Sequence, residues 1–590
     1  MSMETASAAK QKFYPAATFF AAVLLWFLIG WCGNLLTGNG VWINDEGNRM
    51  LAIEAFAENN GFVRDPIPGI SGVGVNSYCP QSYFVRDPQS GKIISAYPET
   101  FPRMMAYLYK LGGFPLVRCA VLLAGLLCIA VLWRIAITFD FTPMQQCLVI
   151  VLAFFGTPLL FYSMTMFELS MSAAIITLSV LPLLDLFQSK SGISVKRIRC
   201  AGYAGFLLGI SLFLREEGYV IALAAVIAMI CCRIRWQYIL TYAGAFLVPM
   251  AILWSLNARQ CGDIFGLHNL VYQSFSGKVP FSFKEKWETI YYFLIQPNFS
   301  GILSGVVGGF CIAAPFAGFL PDKEKFVTVK HIVLILLGVI AIINLGTLYP
   351  CYIGDVLRYQ SLAGTALFVL LPCLFFRDFY TSGKRRIFFL WLLTALAIGG
   401  ITLCLKFQNR GIFFGPRHYL LLIPLMLVPA VALFQQEFCG KSRLRKGVIL
   451  LIFFCAIASQ LTGLHLLIQK KNLSNNIVKF CTNLETPIIA TDVFFAPEEL
   501  AGIPRTTQVL FLNGQEIGVR FLTAYADKNN VRQIYLLTSD QFSTFSGDKP
   551  LGMQLMKYWK IDPRAQRYFP SKYAGMMSLR LHKLDRRLGK

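Results

Sequence analysis

This 590-residue chain is short of charge. Asp, Glu, Lys and Arg together make up 14% of it, against 56% hydrophobic residues and a mean hydropathy of +0.56. That balance excludes a soluble protein of this length. Acids are scarcer still, 31 against 54 Lys and Arg, for a net charge of +23. Its 16 cysteines contain no C-x-x-C pair and no metal-ligand spacing, so neither a zinc ribbon nor a dithiol redox motif is expected. There is no glycine-rich phosphate loop to support nucleotide binding, and no visible internal repeat of the kind that marks many secondary transporters.

What is present is a series of apolar runs close to the ~20 residues that span a bilayer. About thirteen helices are predicted, near 15–37, 114–136, 145–163, 169–187, 200–214, 217–232, 237–256, 301–320, 331–349, 360–376, 387–404, 419–435 and 447–468. The pair at 200–214 and 217–232 is short and also reads as one bent span. The first run is too long for a typical signal-peptide core and no clean A-x-A site follows, so it is expected to stay as an uncleaved helix.

The basic excess invites a nucleic-acid partner until it is placed on this topology. Lys10 and Lys12 precede the first helix, which puts the N-terminus on the cytoplasmic side. Thirteen crossings then place Lys190, Lys196, Arg197 and Arg199, Arg233 and Arg235, Lys384 to Arg386, and Lys441, Arg443, Arg445 and Lys446 inside as well. The excess follows the positive-inside rule, and nucleic acid is not expected.

Outside lie a first loop over 38–113, a second over 257–300, and everything after residue 469. In the tail, "PIIATD", "TQVLFLN" and "QIYLLTSD" read as short strands, and "PEELAGI" and "GQEIGVRFLTAYADK" as helices. Such alternation predicts a small α/β domain over 470–590 with a mainly parallel sheet. Acids in "TDVFFAPEEL" and "TSDQF" stand at strand ends, either as a ligand site or as helix caps. Cys79, Cys261, Cys351 and Cys481 fall one per outer segment, and a pairing such as Cys79–Cys261 cannot be read from spacing.

The stretch "VWINDEGNRMLAIEAFAENNGF", Val41 to Phe62, places two adjacent carboxylates, Asp45 and Glu46, just beyond the first apolar run. From Asp45 to Asn60 its pattern predicts a short amphipathic helix lying on the membrane interface and stopped by Gly61. Acids in a first helical turn favour the helix dipole, so this pair is either a helix-start device or something chemical.

With "SAYPETFPRMMAYLYKLGG" leading into the second span and "FGPRHYLLLIPLMLVPA" late in the chain, the sequence resembles the GT-C glycosyltransferases. More narrowly it is similar to the dolichyl-phosphate-mannose protein mannosyltransferases and the bacterial aminoarabinose transferases. The resemblance implies an α-helical polytopic membrane protein with an outer C-terminal α/β domain, in a bacterial inner membrane. It implies transfer of a sugar from a polyprenyl-phosphate-linked donor to a lipid, glycan or protein acceptor on the outer face. By that likeness Asp45 is the general base, Glu46 orients it or binds acceptor, and Glu168 in "YSMTMFELSMSAA" joins them around substrate. Arg417, with a fork suited to phosphate, and Arg103 are expected on the lipid phosphate, with His418 and Tyr97 beside them and Asp263 and His268 on the acceptor side. The departing phosphate needs positive charge or a divalent cation, Mg or Mn, for which Asp45 and Glu168 would be the ligands. "FLREEGY" places Arg215, Glu216 and Glu217 at another outer turn, either as a mutual ion pair at a helix end or with a role in the site. A transporter or flippase of lipid-linked sugars, or a polysaccharide polymerase or ligase, is the alternative.

Overall fold

The computed structural model describes residues 3–58, 61–63, 84–86, 93–95, 98–187, 193–267, 282–297, 302–321, 324–348, 361–381, 384–405, 415–434, 442–486, 488–493, 495–503, 507–512, 516–539, 550–570 and 578–587. Tyr97, His268, Cys79, Cys351 and Asp540 lie outside them.

Helix α1 spans Met3–Thr37 and α2 Asn44–Glu58, followed by a small antiparallel sheet of β1 (Phe62–Val63), β3 (Ile93–Ser95) and β2 (Phe84–Arg86) in that order. Helix α3, Thr100–Thr138, bends at Gly112 and Gly113, where Gly113 has φ 64° and ψ −164°, a conformation that only glycine adopts without strain. The bundle continues through α4 (Pro143–Phe155), α5 (Leu159–Ser163), α6 (Leu169–Leu184), α7 (Val195–Ser211), α8 (Glu217–Cys231) and α9 (Trp236–Cys261). It closes with α10 (Phe283–Ile290), α11 (Ile302–Ala313), α12 (Glu324–Leu348), α13 (Arg385–Cys404), α14 (Ile423–Ala432) and α15 (Arg443–Thr482).

Among the described residues, eight helices are long and apolar enough to cross a membrane, and three more apolar helices are shorter. The chain is thus a multi-pass helical membrane protein. One alternative falls away and two expected runs are interrupted, the first being 145–163, which breaks between α4 and α5 at 156–158. Helices α7 and α8 are separate, divided by the turn at 212–216, so they are not one bent span. The run expected as one helix over 360–376 is broken into short pieces, Leu362–Thr365, a 3-10 turn at Leu367–Leu370, and Leu371–Leu374. Pro372 removes a helical donor there.

The bundle has two chemically different ends. Basic residues Lys196, Arg197, Arg233, Arg235, Lys384, Arg385, Arg386 and Arg443 stand where α7, α9, α13 and α15 begin. Arg386 donates to the Thr138 carbonyl at the end of α3 (2.8 Å), which sets the start of α13 against the end of α3. The opposite end carries most of the acids discussed below.

Helix α15 is a single 40-residue rod. Its final turns, through Ile477, Val478 and Cys481, pack against the C-terminal sheet. That sheet has the order β5-β4-β6-β8-β7, built from β4 (Ile488–Thr491), β5 (Gln508–Phe511), β6 (Gln533–Ser539), β7 (Trp559–Phe569) and β8 (Leu579–Arg586). The three expected strands are there and parallel, β4 lying between β5 and β6. The sheet is nevertheless mixed rather than mainly parallel, because β8 runs antiparallel to both β6 and β7. Short helices α16 (Ala496–Glu499), α17 (Glu516–Lys528) and α18 (Pro550–Tyr558) complete the unit.

A buried charged cluster at one end of the bundle

Helix α2 is not an amphipathic helix with a free polar face. Asp45, Glu46, Asn48 and Arg49 are as buried as Met50 and Ile53, because α2 is wedged between α3 and the C-terminal α16. Gly61, with φ 91°, ends it as expected. The fit is tightest at Gly47, where an added Cβ would stand 2.2 Å from the Glu498 carbonyl oxygen.

Buried carboxylates survive only when paired, and Asp45, Glu46, Glu168 and Glu217 each have a partner from a distant segment. Asp45 Oδ2 accepts from Arg417 Nη1 at 2.8 Å. Glu46 Oε2 accepts from the Trp42 backbone N–H at 2.7 Å, while Oε1 accepts from the Met166 N–H at 3.0 Å and Lys471 Nζ at 2.9 Å. Glu46 and Lys471 are wholly inaccessible. Held in this way, Glu46 ties the start of α2 to the turn before α6 and to α15.

Glu168, just ahead of α6, is gripped by two arginines. Arg49 Nε and Nη2 reach its two oxygens at 2.6 and 2.8 Å, a bidentate fork, and Arg215 Nη1 adds a third bond at 3.0 Å. Burial alone would raise this carboxyl, but the two guanidiniums outweigh it and hold it at about 2. Arg215 continues to Glu217 through Nε (3.0 Å) and Nη2. Glu217 Oε1 meets His418 Nδ1 at 3.1 Å, and His418 Nε2 faces Arg417 Nε at 3.4 Å. The chain of contacts closes on itself: Arg49 Nη1 donates to the Asp45 backbone carbonyl at 3.1 Å. Burial lowers the His418 imidazole to about 4, with Arg417 and Arg215 pushing the same way against the Glu217 contact. Glu498, from α16, has a buried carboxyl raised well above the usual range by burial first, then by Glu499 and Asp45.

Asp45, Glu168, Arg417 and His418 therefore belong to one cluster, as the sequence predicts, with Glu46 beneath it. Arg103 does not join: it is exposed, paired with Glu99 one turn away (2.8 Å) and stacked over Phe56. Asp263 is half-buried and accepts from the Phe265 N–H through Oδ1 in a turn. Cys261 carries a free thiol that donates to the Asn257 carbonyl. Sequence reasoning missed Arg49 and Lys471. Arg49 had a signal, an opposite charge one helical turn after Asp45. Lys471 had none beyond its place after the last apolar run.

The donor set does not fit a divalent cation. Both Glu168 oxygens are taken by guanidiniums, and among the described residues no three His, Cys, Asp or Glu side chains stand together as ligands. A narrow cleft lined by Arg49, Pro98, Phe101, Pro102, Glu168 and Leu214 opens beside the arginine fork.

No protein-family model and no curated protein matches the chain. Among solved structures it is similar to ArnT from Cupriavidus metallidurans, in the apo state and bound to undecaprenyl phosphate. Each has 12% identity, a TM-score of 0.48, and coverage of 96% of this chain and 97% of that one. It is also similar to the Archaeoglobus fulgidus oligosaccharyltransferase in the apo form, at 12% identity and a TM-score of 0.46, over 93% of this chain and 73% of that one.

Proposed function

We propose that this chain is a membrane glycosyltransferase that moves a sugar from a polyprenyl-phosphate carrier to a lipid, glycan or protein acceptor. The observation that carries the reading is the 2.8 Å pairing of Asp45 with Arg417, 372 positions apart. It brings a carboxylate able to accept a proton beside a guanidinium able to hold a phosphate.

The roles follow from the chemistry. Asp45 takes the proton from the acceptor hydroxyl or amine as that atom bonds to the anomeric carbon. The bond from that carbon to the phosphate oxygen breaks, and its electron pair leaves with the polyprenyl phosphate. Arg417 stabilises the charge that appears there. Arg49, Arg215 and Glu168 form the rigid wall against which this happens.

Sidedness is part of the proposal. The basic turns gather at one end of the bundle and the charged cluster at the other. If the basic end faces the cytoplasm, the cluster and the C-terminal domain face the outside, which in a bacterial inner membrane is the periplasm. A carrier of lipid-linked sugars would instead hold its ionisable groups near mid-bilayer in broken helices.

The test is comparative mass spectrometry of envelope glycolipids, glycans and glycoproteins from cells with the wild-type protein, without it, and with Asp45→Asn. A sugar-bearing species present only with the wild type is the expected result. Lipid-linked sugar stranded on the cytoplasmic leaflet when the protein is missing, with a wild-type profile in the Asp45→Asn cells, would favour the carrier reading.

A further inference from the structure

Glu217 opens α8, directly after the turn at 212–216. Its two oxygens are held by Arg215, which is itself tied to Glu168, so the carboxylate has a fixed seat. From that seat Oε1 faces His418 Nδ1 at 3.1 Å. A carboxylate only accepts, so Nδ1 must carry the ring proton. On the other side of the ring Arg417, which only donates, points Nε at Nε2, so Nε2 must be bare. Both demands are met by one neutral tautomer. A second proton would set an N–H against a guanidinium N–H. The ring is 6% exposed and edge-on to Phe293, with centroids 5.8 Å apart, so it cannot swing away without breaking that packing.

We infer that Glu217 is a positioning residue for the phosphate site, acting through His418 to set the plane of the Arg417 guanidinium. The inference rests on the reading of Arg417 as the phosphate binder. Bidentate phosphate binding needs the planar fork in one orientation, and a long arginine side chain loses considerable rotamer freedom to adopt it. His418 on Nε and Asp45 on Nη1 both anchor that plane here. Of these, only the Asp45 anchor is an anion that a phosphate would compete with. The His418 anchor is neutral and stays in place when the phosphate arrives. The charged groups facing the ring are Glu217, Arg417 and Arg215.

The probe is undecaprenyl monophosphate, bound to the purified full-length protein in lipid nanodiscs and followed by native mass spectrometry. His418→Phe keeps a ring against Phe293 but offers Arg417 no acceptor and Glu217 no donor. His418→Gln offers both. Loss of one hydrogen bond to a charged group predicts binding weakened about 10-fold in His418→Phe and restored to within about 3-fold of wild type in His418→Gln. Glu217→Gln, which keeps an acceptor oxygen but releases the charge seated on Arg215, should weaken binding about 3- to 10-fold. The positioning role is overturned if His418→Phe binds like wild type while Arg417→Ala does not. It is equally overturned if His418→Gln is no better than His418→Phe, since shape alone would then matter. If Arg417→Ala itself binds like wild type, the phosphate reading falls and takes this inference with it.

Discussion

The Lys471 ammonium lies 2.9 Å from Glu46 Oε1, 425 positions earlier in the chain, and a further 2.9 Å bond runs from it to the Met164 carbonyl. One cation thereby joins the start of α2, the turn before α6 and the rod that carries the C-terminal sheet. Breaking a buried pair leaves an uncompensated charge and costs about 3–5 kcal/mol. Glu46→Ala and Lys471→Ala should each lower the thermal unfolding midpoint markedly, and the double variant should lose much less than the sum. A Glu46→Ala protein as stable as wild type but inactive would mean that Glu46 meets the acceptor after all.

Asp45→Asn separates chemistry from binding. The amide cannot take a proton, so sugar transfer should fall by at least ~10²-fold. It also removes the anion that competes for Arg417, so undecaprenyl phosphate should bind as tightly as to wild type or more tightly. Arg417→Ala should do the reverse and lose phosphate affinity first. Near-normal transfer by a correctly inserted Asp45→Asn protein would reduce the acidic pair to a helix-start device.

Stability should fall on acidification in two stages. His418 has a folded value of about 4 against an ordinary 6.5, so the unfolded chain binds its proton first as pH drops. Its contribution is present above about 6.5 and is lost between there and about 4. Glu168, at about 2 against 4.5, contributes above 4.5 and loses that contribution as pH falls towards 2. Thermal midpoints measured from pH 7.5 to 4 should drop less steeply in His418→Gln than in wild type. Parallel slopes in the two proteins would show that the ring is not held neutral.

Gly47→Ala tests whether the C-terminal segment supports the site. The new methyl would collide with the Glu498 backbone oxygen, which cannot move aside as a side chain would. Overpacking of this kind costs about 1–3 kcal/mol. The midpoint should fall and α2 should shift, lowering transfer, whereas Gly244→Ala, with nothing within 4 Å of its Cβ position, should be neutral.

A reporter active only in the periplasm, fused after Lys590, should be active. Strong activity of a cytoplasmic reporter at the same position would invert the assigned sidedness.

What the sequence by itself determined is what depends on neighbours along the chain. Eight apolar helices of spanning length, the basic turns, the glycine stop at Gly61 and the three strands beginning at Ile488, Gln508 and Gln533 follow from local composition and period, and they are present among the described residues. Strands β7 and β8 escaped, because their mix of exposed and buried positions carries no clean two-residue alternation. The placing of Asp45, Glu168 and Arg417 at one end was legible from where each stands relative to an apolar run. Their partners were not. A carboxylate at the edge of an apolar bundle must find a positive charge, but Coulomb attraction acts through space and is indifferent to position in the chain. Only the folded bundle decided that Arg417 would meet Asp45, that Arg49 and Arg215 would share Glu168, and that Lys471 would bury Glu46.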